Sequence, residues 1–150
     1  MKNAVIILLL MLFGITLSAQ SGEVEVEITE VVAEWGGSVI IGLFEKKGFP
    51  KAGQAVFSDT IPVRDIKATY KFEAIPVGKY AIAIYQDVNS DDKLNRDGYG
   101  RPTEPYAFSN NVFGRFGPPK FAKASFLVTS DAESRLVIHL KEYSNIRGDR

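Results

Sequence analysis

The stretch ATYKFEAIPVGKYAIAIYQD, Ala68 to Asp87, decides the fold. In its first part Ala68, Tyr70 and Phe72 alternate with Lys67, Thr69 and Lys71, the period-two signature of a half-buried strand. Pro76-Val77-Gly78 then reads as a turn. From Lys79 to Gln86 both phases are apolar, with Tyr80, Ile82 and Ile84 on one face and Ala81, Ala83 and Tyr85 on the other. A strand covered on both faces is central, and its small alanines let a neighbouring layer approach closely.

The same period recurs on either side. Val24, Val26 and Ile28 alternate with Glu23, Glu25 and Glu27. Trp35-Gly36-Gly37 reads as a turn, and Val39 to Phe44 as a buried strand rich in β-branched residues. Lys46 to Pro50 reads as a loop, and Ala55-Val56-Phe57 as either a short strand or a helical turn. Ala124, Phe126 and Val128 alternate again, as do Leu136, Ile138 and Leu140. About seven strands, no long helix and turns rich in Gly, Pro and Asp predict an all-β chain. The expected form is a single antiparallel β-sandwich with one long loop, a small barrel being the alternative. The alternating glutamates read as a solvated face or a protected sheet edge. They do not form a metal site, because same-face glutamates lie about 7 Å apart by strand rise.

The chain ends set the expected organisation. Lys2, the apolar run Ala4 to Leu17 and the small-residue site Leu17-Ser18-Ala19 read as a secretory signal over residues 1–19. That run is shorter than the roughly twenty apolar residues of a membrane span, and no second one follows, so the mature chain is expected to carry no transmembrane segment. The expected domain covers residues 20–142 and a polar tail covers residues 143–150. The expected location is outside the cytoplasm, periplasmic or secreted. Loss of residues 1–19 removes one base and no acid, changing a formal charge of zero to −1. A near-neutral chain has no electrostatic footprint for nucleic acid. Cysteine is absent, so neither disulfides nor thiol chemistry is available, and the fold needs a true apolar core or a metal staple.

After the central strand the sequence runs QDVNSDDKLNRDGYGRPTEPYAFSNN, Gln86 to Asn111, within a loop expected to reach about Pro119. Asp87, Asn89 and Asp91 place side-chain oxygens at positions one, three and five of a calcium loop. Lys93 would add a backbone carbonyl at seven and Asn95 an oxygen at nine. Leu94 is expected to hold the loop down. The pattern departs at position six, where Asp92 replaces Gly, and at position twelve, where Gly98 replaces an acid. Asp97 and Glu104 are the nearby acids that would complete a shell. No flanking helix is predicted, which argues against an EF-hand. The competing reading is a solvated turn in which Asp and Asn cap their own backbone. If a cation binds, Ca²⁺ suits the irregular donor set better than Mg²⁺, at an affinity on the order of 10⁻⁴–10⁻³ M.

Three segments together resemble a bacterial family known as domain of unknown function 2141. They are Ile75 to Ile82, Asp87 to Leu94, and Gly100 to Asn111 followed by Gly117-Pro118-Pro119 and the Ala124-Ser-Phe126 strand. The resemblance implies an exported single-domain β-sandwich with no assigned activity. The Gly78-Lys-Tyr80 piece is also similar to the turn and strand of transthyretin-like and Ig-like domains. The family commonly carries His, Gly and Asp where this chain has Gln86, Asp92 and Asn95.

Other chemistry is weakly signalled. His139 is the single histidine and reads as a surface strand residue, whereas zinc sites need several N or S ligands. No base is evident beside Ser109 or Ser125, so a Ser-His-Asp triad is not indicated. Asp87 with Glu104 would serve glycoside hydrolysis only across a sugar cleft, which a small sandwich seldom offers. Tyr99, Tyr106, Phe108, Phe113 and Phe116 cluster in the loop. They read either as buried anchors or as a platform for a glycan or an envelope protein. The function expected from sequence is a non-enzymatic binding or accessory module with a calcium-stabilised loop.

Overall fold

The computed structural model describes residues 20–144. The expected signal segment and residues 145–150 of the expected tail lie outside them. Among the described residues no helix is long and apolar enough to cross a membrane.

Eight strands form two facing sheets. They are β1 (Ser21–Thr29), β2 (Ser38–Phe44), β3 (Phe57–Pro62), β4 (Lys67–Pro76), β5 (Gly78–Asp87), β6 (Tyr106–Phe108), β7 (Phe126–Val128) and β8 (Ser134–His139). One sheet has the order β4-β1-β8 and the other β3-β2-β5-β6, with β7 also paired to β5. The all-β sandwich expected from the alternation is the observed class. One pairing departs from the antiparallel expectation: β1 and β8 run parallel, from Val24 opposite Ser134 to Thr29 opposite His139. A parallel pair needs a long crossover, and here nearly the whole domain supplies it.

The alternating residues fill the space between the sheets. Val24, Val26 and Ile28 of β1 meet Val39, Ile41 and Leu43 of β2 and Tyr80, Ile82 and Ile84 of β5 in one buried cluster. Glu23, Glu25 and Glu27 face outward from the middle strand of their sheet, not from an edge. Their charges are matched across strands by Lys71, Arg135 and Lys67. These exposed pairs set register more than they add stability.

Two strands depart from the expectation. β3 extends beyond the short Ala55–Phe57 candidate and is almost wholly exposed, so it shows no alternation. β6 is three residues long and lies inside what reads as loop. It pairs with Ala83 to Tyr85, while β7 pairs with Gly78 to Tyr80. Between these registers the Ile82 N–H donates to Ser109 Oγ at 2.8 Å, and the Ser109 hydroxyl donates to the Ala124 carbonyl at 2.6 Å. Ser109 thus stands in for a ladder partner in a fully buried gap. Ala124 is correspondingly the end of a helical turn, Phe121–Ala124, rather than the start of a strand.

Outside this sheet a second apolar cluster joins Ala81, Phe108 and Ala124, with Phe49, Tyr106, Phe113 and Phe121 packed on it. Its rings meet edge to face, with centroids 5.6 Å apart for Tyr106–Phe113 and 5.8 Å for Phe49–Phe108. The close approach expected over the alanines of β5 is this aromatic layer.

Replacing Ser109 by Ala leaves a buried N–H and a buried carbonyl without that partner. We expect urea unfolding to show a loss of about 1–3 kcal/mol and faster hydrogen exchange at Ile82. An unchanged midpoint would mean that the gap closes without the hydroxyl.

Candidate functional site

The described residues bury four polar side chains: Gln86, Asp87, Glu104 and Ser109. All four flank the long loop. Gln86 Oε1 accepts from Val32 N, and its amide donates to the Val32 and Gly36 carbonyls, tying the β1–β2 connection to the end of β5. Gly37, at φ +75°, packs so closely that an added Cβ would sit 2.0 Å from the Asp87 carbonyl oxygen.

Asp87 ends β5 and turns its carboxylate into the loop. Its oxygens accept from Asp91 N at 3.2 Å and Asp92 N at 2.9 Å. Asp92, at position six, adopts φ 60° and Ser90 adopts φ 60°. The loop therefore keeps left-handed backbone where a calcium loop places Gly, and Asp is among the residues that tolerate it. Glu104 reaches back across the loop, accepting from Val88 N and Asn95 N at 2.9 Å each. The two buried acids hold opposite sides of one turn.

Asp91 stands at the centre of the exposed part. One of its oxygens accepts from both Asn89 Nδ2 at 3.1 Å and Asn95 Nδ2 at 2.9 Å, and the other accepts from Lys93 N. The Asn95 amide bond chiefly holds the Asp91 carboxyl below its ordinary range, with help from Asn89 and Lys93. Asn95 Oδ1 is buried with no hydrogen-bond partner. Nearby, burial pushes the Tyr85 hydroxyl up to about 12, and the charges of Asp87, Asp92, Glu104 and Asp91 add to the effect.

The structure thus brings Asp87, Asn89, Asp91, Asn95 and Glu104 into one connected network. Lys93 belongs to it through its backbone N–H, and Leu94 is half-buried. Asp97 is engaged elsewhere. It accepts from Tyr99 N, Arg101 N and Arg101 Nε, the last at 2.7 Å, and so organises a small hairpin over residues 95–103. Among the described residues no group of three or more His, Cys, Asp or Glu could by itself hold a metal ion. Amide and backbone oxygens would have to supply part of any shell.

The loop aromatics divide into two sets. Tyr106, Phe108 and Phe113 belong to the packed aromatic layer. Tyr99 and Phe116 stand 86% and 87% exposed. Sequence reasoning missed the roles of Gln86, Ser109, Asn110 and Asn111. Asn110 Nδ2 donates to the Lys123 and Ser125 carbonyls, while Asn111 pairs with the backbone of Val137 and His139. The only advance sign was an uninterrupted Ser-Asn-Asn run in an otherwise aromatic segment. His139 sits 2.6 Å from Thr29 Oγ1, at the end of β8.

A family model described as "uncharacterized protein conserved in bacteria (DUF2141)" matches residues 20–135, and the chain belongs to this family. No curated protein and no solved structure matches the chain.

The carboxyls of Asp91 and Asp97 are both held below their ordinary range. The Arg101 backbone N–H is the main cause at Asp97, and the Arg101 side chain adds to it. A carboxyl lowered in the folded state stabilises the loop above its unfolded pKa, and the effect is lost as pH falls through the folded value. We therefore expect the Lys93 and Arg101 amide resonances to report loop opening below the ordinary 3.8 of an aspartate. Titration of both amides at or above that value would contradict the assignment.

Proposed function

We propose that this chain is an exported, non-enzymatic β-sandwich binding module whose loop from Asp87 to Glu104 is stabilised by calcium. The observation that carries the cation reading is the buried, unpartnered Asn95 Oδ1 beside Asp91, in a turn whose sixth position keeps the left-handed backbone of a calcium loop. Two amide groups converge on one Asp91 oxygen, so amide donors do part of what a cation would do there. A half-turn of the Asn89 amide plane presents oxygen in place of nitrogen. Asp87 and Glu104 spend oxygens on backbone N–H groups yet keep lone pairs for an ion.

Asp87, Asn89, Asp91, Asn95 and Glu104 would hold the ion, with a backbone carbonyl at Lys93. Its chemistry would be neutralisation of these three acids, not activation of a substrate. Export is supported by the leader-like run Ala4 to Leu17. The non-enzymatic reading is supported by the engagement of Asp87 and Glu104 in loop backbone bonds, a poor state for a general acid and base. A second reading, contact with a glycan or an envelope protein, is favoured by the exposed rings of Tyr99 and Phe116.

At calcium about a hundredfold above Kd, binding to the folded state alone contributes about 2.7 kcal/mol. For a domain of this size that raises Tm by roughly 10 °C. We expect this rise near 10 mM Ca²⁺ for an affinity on the order of 10⁻⁴ M, its reversal by EDTA, and its loss in Asp91→Asn. A Tm unmoved by calcium in the unaltered protein would refute the metal reading.

A further inference from the structure

Beside the acidic turn lies a cleft of opposite character, about 260 Å³ in volume. Arg96, Arg101 and Arg115 line it together with Tyr99, Tyr106 and Phe116, and no carboxylate lines it among the described residues. Of the three, Arg101 is paired with Asp97, which lies outside the lining, and Arg96 and Arg115 have no carboxylate partner among the described residues.

The cleft is built by two tight turns. One is the hairpin organised by Asp97, which fixes Tyr99 and Arg101 through their backbone N–H groups and pairs with the Arg101 guanidinium at 2.7 Å, so that Arg96 and Arg115 are the cleft arginines with no carboxylate partner among the described residues. The Arg101 guanidinium lies 4.9 Å from the centre of the Tyr99 ring. The other is Gly114-Arg115-Phe116-Gly117. Here a Cβ on Gly114 would meet the Gly117 carbonyl oxygen at 2.1 Å, so the turn closes on itself only with glycine at that place. Arg115 lies 5.4 Å from the centre of the Phe116 ring, and no carboxylate among the described residues pairs with it. Each turn thus presents one arginine stacked with one exposed ring. The floor is Tyr106, whose hydroxyl burial holds above its ordinary value, with Tyr143 adding and the Arg96 charge working against it.

We propose that this cleft binds an acidic glycan, its carboxylates on Arg96 and Arg115 and its sugar rings against Tyr99 and Phe116. The inference rests on the second reading above, that the exposed loop rings meet a ligand, and it adds the ligand's charge and class. Charge complementarity selects an anion, and the guanidinium forks match a carboxylate. Shape selects sugar over peptide. Peptide anchors sit in desolvated pockets, whereas these rings stand at the tips of turns and offer flat, open faces. The volume suits a short length of chain, below the usual range of an enclosed small-molecule site. Two preformed arginine–ring pairs keep the ordering cost of binding low.

The test uses the full mature chain, a glucuronate hexasaccharide, its methyl-esterified form and a glutamate oligomer of equal charge, in calcium-free buffer. The expected result is saturable binding of the uronate, weakened about tenfold or more by esterification and by Arg115→Gln. Phe116→Ala should weaken it similarly with Tm unchanged, since that ring is exposed; Tyr99→Ala is the second variant if Tm shifts. Equal binding of the uronate and its ester would leave the ring platform standing and overturn the charge inference. Equal or tighter binding of the glutamate oligomer, insensitive to Phe116→Ala, would overturn the glycan in favour of an acidic peptide. No binding of any probe would overturn both this inference and the ligand reading of the loop rings. The calcium reading is judged separately by Tm.

Discussion

The structure depends on satisfying the backbone of β5. A buried strand cannot leave N–H and carbonyl groups without partners. β5 is ten residues long, whereas β6 and β7 are three each and meet different parts of it. Ser109 fills the gap at Ile82, Asn110 binds the segment that leads into β7, and Asn111 binds β8. Three consecutive side chains therefore do the work of a strand toward three different elements. The arrangement places Asn110 and Asn111 at φ 60° and 52°, which Asn tolerates better than most residues. Without it, the aromatic layer would have no fixed seat on the outer face of the sheet.

The other end of β5 shows the same constraint met with charge. A turn too irregular for ladder bonds exposes a series of N–H donors, and the oxygens of Asp87, Asp91 and Glu104 accept from Val88, Asp91, Asp92, Lys93 and Asn95. Oriented N–H dipoles offset part of the negative charge. On the proposed calcium reading, the two readings of the loop's sequence describe one geometry with and without an ion. Asp92 illustrates the overlap. Its left-handed backbone serves the cap from Asp87, and the same backbone is what a calcium loop requires.

How much of this could be read beforehand depends on whether the signal was local. β1, β4 and β8 were legible because burial of one face imposes period two on Val24-Val26-Ile28 and its counterparts, and β2 and β5 because continuous apolar runs mark strands covered on both faces. β3 was not, because an exposed edge strand, FSDTIP, has no buried face to impose a pattern. The parallel pairing of β1 with β8 joins the two ends of the domain and leaves no trace in either segment alone. In the loop, Asp87, Asn89, Asp91 and Asn95 were legible from spacing, and Glu104 from being the next available acid. Asp97 met the same positional argument and yet is held by Arg101, four residues on. Nothing in the sequence placed Arg96, Arg101 and Arg115 together, since their convergence requires two separate turns to fold toward each other.

The acidic network and the arginine cleft share a short piece of chain. Asn95 directs its amide to Asp91, while Arg96, the next residue, lines the cleft and donates to the Gly100 carbonyl. Successive residues of an extended segment point to opposite sides, so one stretch carries a donor for each site. The hairpin that follows is closed by the Asn95 carbonyl accepting from Thr103 N. On the two proposed readings, an ion that fixes Asn95 also fixes the base of the hairpin that presents Tyr99 and Arg101. Such an ion lowers the ordering cost of binding at the cleft, and thermodynamic reciprocity requires an occupied cleft to favour the ion equally. Coupling of this kind needs no movement of the sandwich, only a turn whose order is set from both sides.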